Sequence, residues 1–379
     1  MKLRKLYLLV LLLVPAWSHA APFAYVSSAG ISVVDLATGT VVATASTGSA
    51  PFGVAVAPDG ARVYITSVFC DSPRLPCNAN VAVLDAATNR TIATLPAIFP
   101  GGVAVNAAGT RLYVANLFPQ GSVDVFDLSS LARLASVQVG GAPAGVAIAA
   151  TGGVYVANAA FDTVSVIDPA TNTVVATLSV GQDPYGVAAS PADARVYVAN
   201  RTSNTVSVID TLAKRVVQTI PVASFPAGIA VRPDGAEVYV THIAGTQLVS
   251  VIDTASGTVS ATIPIGGVGV SFEPTGRRAY VTNGPDYALS VIDTASRTVV
   301  DTIPIGGPGL NPHPDTFGQF IVPAPVTYRP QAAVSPVLPV PALSWPALLS
   351  TAVALVALGA FVKRRRQSGE AEPWLGRSP

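Results

Sequence analysis

The sequence predicts an all-β protein, a seven-bladed β-propeller of four-stranded antiparallel blades. Three observations predict it. A tyrosine-bearing strand recurs at Tyr25, Tyr64, Tyr113, Tyr155, Tyr197, Tyr239 and Tyr280, at intervals of 39, 49, 42, 42, 42 and 41 residues. An apolar strand ending in aspartate recurs beside it, at Asp35, Asp85, Asp127, Asp168, Asp210, Asp253 and Asp293. The composition is 50% hydrophobic and 11% charged, rich in valine, alanine and threonine, which favours short strands over long helices.

Each repeat supplies four strands. The first is the tyrosine strand, as in VYVAN over 154–158, and the second the aspartate strand, as in SVID over 165–168. A third follows, as in TVVATL over 173–178, and the fourth is an inner strand of the form PxGVAV, as in Pro51 to Val56. The alternation along these strands gives both faces of each sheet an apolar side, which a lone four-stranded sheet cannot bury. Stacking seven units in a ring does bury them. Pro58-Asp59-Gly60 and Pro233-Asp234-Gly235 carry turn chemistry, and the seven recurring aspartates sit where a carboxylate can accept backbone amides and close the next hairpin. They read as turn caps rather than catalysts.

The first repeat begins at its tyrosine strand and lacks an inner strand of its own. Phe317 to Ile321 is the strand-like segment after the last repeat, and it is expected to pair with the N-terminal blade and close the ring.

These elements resemble the YVTN-type β-propeller repeat proteins, a seven-bladed relative of the WD40 architecture. The resemblance rests on VYVAN and YVTN, SVIDTA and PxGVAV and runs from Phe23 to Pro323. It departs at Gly267-Val268-Gly269-Val270, where the proline is missing, and at Tyr64-Ile65-Thr66-Ser67.

The flanks carry an address. Lys2, Arg4 and Lys5, the apolar run Leu6 to Val14 and the small-residue site ending at Ala20 read as a secretory signal peptide over 1–20. The propeller takes 21–323, a proline-rich linker 324–341, an apolar helix with a basic stop 342–366 and a short tail 367–379. Trp345 to Val362 is 18 uncharged residues followed by Lys363, Arg364, Arg365 and Arg366, so the chain is expected to be membrane-anchored through a C-terminal transmembrane helix, C-terminus cytoplasmic. This segment, with Val340-Pro341-Ala342-Leu343-Ser344-Trp345 before it, resembles the IPTL-CTERM sorting signals of Gram-negative bacteria, which implies an exosortase-type processing enzyme as a partner and a periplasmic or surface location. Cys70 and Cys77 lie in the exported part, where a local disulfide is expected, two free thiols being the alternative.

Between Ala21 and Val340 there are 14 Lys and Arg against 19 Asp and Glu, so the exported domain is acidic and offers no basic stripe for nucleic acid. No haem-attachment, HExxH or GxSxG motif occurs, no metal site is indicated and no cofactor is implied. The loops after the tyrosine strands and those leading into the inner strands share one face, and departures from the repeat collect there. The candidate ligand-binding residues on it are Asp183, Tyr185, Arg201, His242, Asn158 and Asn200. The asparagines recur in several blades, which also fits closure of a turn, and His242 breaks their pattern. The function expected is an exported, envelope- or surface-associated scaffold that binds a ligand or surface partner without catalysis. The alternative is a lactonase- or lyase-like enzyme with its site at the channel mouth, although Glu237 and Glu273 fall near the opposite face.

Overall fold

Alternation within the tyrosine strands decides the architecture. In Val154–Asn158, Tyr155 and Ala157 cluster with Val196, Val198 and Ile209 of the following repeat, while Val154 and Val156 cluster with Tyr113, Ala115 and Val123 of the preceding one. Every sheet is therefore sandwiched between its neighbours. All seven repeat tyrosines are at most 1% exposed, each wedged at a blade boundary. Tyr25 and Tyr155 donate their hydroxyls across that boundary, to Asn89 Oδ1 at 2.9 Å and to the Thr211 carbonyl at 3.4 Å. Burial pushes the Tyr155 phenol up to about 12.

The computed structural model describes residues 22–27, 30–47, 51–69, 78–117, 121–243, 247–283, 288–305 and 321–322. They form seven four-stranded antiparallel sheets. Blade 1 is Phe23–Ser27, Ile31–Asp35 and Thr40–Ala45, with Ile321–Val322 as its inner strand. Blades 2 to 7 span 51–96, 100–138, 143–179, 184–221, 226–263 and 270–304. The expected closure is present, with Phe23 opposite Val322 and Ala24 opposite Ile321. Its paired residues are Ile321–Val322; Phe317 to Phe320 lie outside the described residues. The segments expected to be a signal peptide, a linker and an apolar C-terminal helix, and both cysteines, also lie outside them.

The tyrosine strands end at what we call the upper face and the seven aspartates sit on the lower one. All seven cap turns as the sequence suggested. Asp35 Oδ1 accepts the Ala37 amide at 2.8 Å, Asp210 Oδ1 those of Leu212 and Ala213 at 2.9 Å, and Asp293 Oδ1 that of Ser296 at 2.8 Å. Phe23 pairs with both Asp35 and Val322, so both ends of the ring leave at the lower face. In blade 2 the insertion lengthens the hairpin: Arg62–Phe69 and Asn78–Asp85 run on to the pair Phe69 and Asn78. In blade 7, where the inner strand lacks its proline, that strand shrinks to Val270–Phe272.

Inner strands meet around the axis through the glycine of PxG. A β-bulge there sets two residues, such as Ala144 and Gly145, against one on the tyrosine strand. The glycine backbone then lies against the carbonyl of residue x in the next blade. A Cβ would sit 2.7 Å from the Gly101 oxygen at Gly53 and 2.5 Å from the Ala144 oxygen at Gly102, and closer still to those of Tyr185, Ala227 and Val268 at Gly145, Gly186 and Gly228. Only glycine fits this ring.

Candidate functional site

The upper mouth of the ring is built from pairs of residues. In each of blades 3 to 6 the residue before the inner-strand proline takes a left-handed φ, at Phe99 (48°), Ala142 (52°), Asp183 (55°) and Phe225 (52°). Side chains rarely adopt it. Its carbonyl accepts the amide of the residue after the tyrosine strand, from Leu117, Ala159, Arg201 and Ile243 at 2.9 to 3.1 Å. One position thus holds Phe99 with Leu117 in blade 3, Ala142 with Ala159 in blade 4, Asp183 with Arg201 in blade 5 and Phe225 with Ile243 in blade 6.

Blade 5 alone fills this position with charge. Arg201 Nε and Nη2 donate to Asp183 Oδ2 and Oδ1 at 3.0 and 2.9 Å, a side-on bidentate pair. The guanidinium carbon lies 3.9 Å from the centre of the Tyr185 ring, so Arg201 is held on an edge and a face. Its side chain is 17% exposed and that of Asp183 31%. The Asp183 amide donates to Asp162 Oδ1 of blade 4 at 2.9 Å, and the Phe225 amide of blade 6 to Asn204 Oδ1 of blade 5 at 3.0 Å. These two bonds lock the mouth loops of blades 4, 5 and 6 into one band. Phe161, Phe225 and Ile243 stand on it 41%, 46% and 44% exposed.

The six candidates from the sequence divide into two sets. Asp183, Tyr185 and Arg201 come together in the band. Asn158, Asn200 and His242 are at most 2% exposed and sit inside blades 4, 5 and 6, not at the mouth. Asn158 Nδ2 donates to Ser165 Oγ at 2.9 Å and Asn200 Nδ2 to Ser207 Oγ at 3.0 Å, so these amides close onto hydroxyls of the adjoining strand. His242 does the same job. Its Nδ1 lies 2.9 Å from the Ser224 carbonyl, which can only accept, so the proton is on Nδ1 and Nε2 accepts from Ser250 Oγ at 2.9 Å. Burial holds this imidazole below its ordinary value. Sequence reasoning missed Phe161, Phe225 and Ile243. Phe225 and Ile243 hold the positions before the PxG proline and after the tyrosine strand, whereas Phe161 lies three residues past Asn158, outside that pattern.

On the lower face, Glu237 accepts Arg232 Nη1 at 3.1 Å and Arg297 Nη2, from blade 7, at 2.6 Å. Glu273 accepts the Thr275 hydroxyl at 2.5 Å. Both glutamates are remote from the mouth. Among the described residues no three His, Cys, Asp or Glu side chains are grouped to hold a metal ion.

Comparison with known proteins agrees with this architecture. Residues 124–213 match the YNCE-like beta-propeller family. A 49-residue stretch is 53% identical to PE-PGRS family protein PE_PGRS18 of Mycobacterium tuberculosis (strain ATCC 25618 / H37Rv), covering 13% of this chain and 11% of that protein, so the likeness spans about a tenth of the relative's length. Among solved structures, a functionally unknown protein from Desulfotomaculum acetoxidans DSM 771 superposes with a TM-score of 0.66 at 16% identity, over 80% of this chain and 99% of that one. Kuenenia stuttgartiensis hydrazine synthase does so with 0.59 at 22% identity, over 70% and 88%. At these identities the likeness is one of fold.

Proposed function

We propose that this chain is an exported binding protein of the cell envelope, whose ring is a rigid scaffold and whose upper face over blades 4 to 6 recognises a macromolecular partner. The observation that carries the reading is the band itself: Phe161, Phe225 and Ile243 exposed around an arginine immobilised by Asp183 and Tyr185. Aromatic and aliphatic anchors around a pre-ordered arginine are the make-up of an interface centre, because little side-chain entropy remains to be lost on binding. The signal peptide over 1–20 delivers the domain, and the apolar segment with Lys363 to Arg366, like an IPTL-CTERM signal, holds it at the membrane for a sorting enzyme. Both ends of the ring leave from the lower face, so an anchored ring presents the upper face outward.

A photo-crosslinking residue at Phe225, in cells producing the full chain, tests this. It is expected to give a discrete adduct that Arg201→Ala abolishes, while the same residue at Asp59, on the lower face, gives none. The same adduct from both faces, or none from Phe225, Phe161 or Ile243, refutes the reading.

A further inference from the structure

The residue between the proline and the glycine of each inner strand differs sharply from blade to blade. It is Phe52 in blade 2, Gly101 in blade 3, Ala144 in blade 4, Tyr185 in blade 5 and Ala227 in blade 6. A position filled so unevenly is not one the ring requires. Blades 3 and 4 set a glycine and an alanine in the arc between the two aromatic residues, and a cavity of about 50 Å³ lies there. Phe52, Ala144 and Tyr185 line it, as do Val103, Val146 and Ile229. A place that the inner strands of blades 2 to 6 all reach lies on the axis.

The strands give its depth. Each inner-strand proline pairs with the last residue of the tyrosine strand at the upper face, as Pro143 does with Asn158 and Pro184 with Asn200. Phe52 and Tyr185 directly follow such a proline, and Val103, Val146 and Ile229 come two residues later, so the cavity occupies the upper half of the axis. Burial grades the same way. Phe52 and Tyr185 are half-buried, while Val103, Val146 and Ile229 are at most 9% exposed, so a slot opens upward from an apolar floor. Among the lining residues Tyr185 alone carries a polar side-chain atom, and a charged group entering would lose its water without a partner in return. The volume is about a third of the roughly 150 Å³ dry cavity that takes up benzene, room for a branched aliphatic tip but not for an aromatic ring. Nor does the slot widen easily, because the inner-strand glycines are pressed against the carbonyls of the next blade.

The slot is continuous with the mouth band. Tyr185 belongs to both, since the Arg201 guanidinium lies 3.9 Å from its ring centre, and Ile229 stands on the strand that Phe225 leads into. We propose that the slot is the specificity pocket of that surface and takes the isopropyl end of one leucine or valine of the partner, whose flanking residues rest on the band of blades 4 to 6. This rests on the binding reading above and adds to it the side chain that is recognised. An aliphatic tip entering a dry apolar slot displaces no ordered water and gains contacts on every side, and a pocket of fixed size rejects the larger side chains.

Xenon-pressurised crystals of the full chain and photo-crosslinking in cells test this. Xenon enters dry apolar cavities, and its density is expected in the wild-type slot but not in Ala144→Phe, whose ring is the one blade 2 carries at this position. In cells, Ala144→Phe is expected to lower the adduct from a crosslinker at Phe225 by about tenfold or more while melting close to the wild type. A diazirine side chain at Phe52 is expected to capture the same partner, with mass spectrometry placing the attachment beside a leucine or valine. Four results overturn the proposal and leave the binding reading standing: no xenon in the wild-type slot, a side chain of this chain or of a second copy found in it, an undiminished Phe225 adduct in folded Ala144→Phe, or a Phe52 attachment away from any aliphatic residue. A wild-type chain that gives no Phe225 adduct overturns the binding reading, and this inference with it. If Ala144→Phe does not fold, the wild-type xenon density and the Phe52 attachment decide.

Discussion

The two faces of the ring come from the same seven repeats and treat them differently. On the lower face an aspartate caps a turn in every blade. In blades 2, 3 and 5 the first residue of the tyrosine strand also reaches across to the next blade: Arg62 to the Leu128 carbonyl at 3.0 Å, Arg111 to that of Pro169, Arg195 to that of Thr254 at 3.2 Å. Blade 6 keeps the contact with its charges exchanged, since Glu237 stands in the arginine's place and Arg297 of blade 7 reaches back to it. On the upper face one structural position holds a different pair in each of blades 3 to 6, from Ala142 with Ala159 to Asp183 with Arg201. A position filled alike in every blade meets a demand of the ring; one filled differently has been released from it and is free to be selected for contact with something else. Changes along the axis and below should therefore cost stability, and changes above should cost recognition.

The largest effect is expected at the axis. Gly186→Ala puts a methyl against the Ala227 carbonyl, with the Ile229 side chain close beside it, and the backbone carbonyl has no room to give. We expect a loss of about 3 kcal/mol or more, at the top of the overpacking range, read by urea unfolding. A loss under about 1 kcal/mol would mean that the ring is loose at its centre. Glu237→Ala comes next. The carboxylate is 8% exposed between Arg232 and Arg297, which are 23% and 36% exposed, so removing it takes a partner from two guanidinium groups that water partly reaches, and Arg232 keeps its pair with Asp234. The cost should be about 1–2 kcal/mol, below that of a fully buried pair.

The repeat made the fold legible because it states its own register. Each tyrosine and each aspartate marks the same depth in its blade, so strand count, turn caps and the closing strand could be read in line. The site was only half legible. Asp183, Tyr185 and Arg201 stood out as polar residues at a mouth, and they do converge. Asn158, Asn200 and His242 stood out for the same reason, yet their polarity serves serines on the adjoining strand, a partner that lies across the sheet rather than along the chain. Phe225 and Ile243 were hidden because an exposed apolar residue and a buried one look alike in a hydrophobic sequence, and a left-handed φ ahead of proline has no mark in composition. Asp124 breaks the pattern in another way: it occupies the serine position in blade 3, 2% exposed, and its Oδ2 pairs with Arg133 Nη1 at 3.5 Å while Oδ1 lacks a hydrogen-bond partner among the described residues.

Acid should erode the lower face cap by cap. The Ser129 hydroxyl, with the Ser130 amide and hydroxyl, holds Asp127 down at about 2, and backbone amides lower Asp210, Asp253 and Asp293, those of Ala213, Ser256 and Ser296 foremost. Each folded-state value lies below the unfolded one, so the stabilisation is complete above the ordinary carboxylate range and is lost as pH falls from about 4 towards 2. His242 has the same sign earlier: its neutral form is the folded one, so its contribution begins to fall away below about 6.5. The urea midpoint should therefore decline gently from pH 7 and steeply below 4, and His242→Asn, the residue that blades 4 and 5 carry at this position, should flatten the first part only. A midpoint constant from pH 5 to 2 would show that the caps are already weak in the folded ring.

The smallest effect is expected at the charged pair of the mouth, and it bears most directly on the comparison. Asp183 and Arg201 make a better-formed ion pair than Glu237 and Arg232, with two parallel bonds and an aromatic face. Geometry alone would rank it first. Solvent reverses the order, because Asp183 is 31% exposed, so its desolvation is modest and so is the penalty for losing it. Asp183→Ala and Arg201→Ala should each change stability by less than about 1 kcal/mol, and their double variant should not be worse than the sum. The backbone bond from the Arg201 amide to the Asp183 carbonyl survives both substitutions and keeps the loop closed. If Arg201→Ala proved as costly as Glu237→Ala, the pair would belong with the ring's own framework and the distinction between the faces would fail at its most charged point.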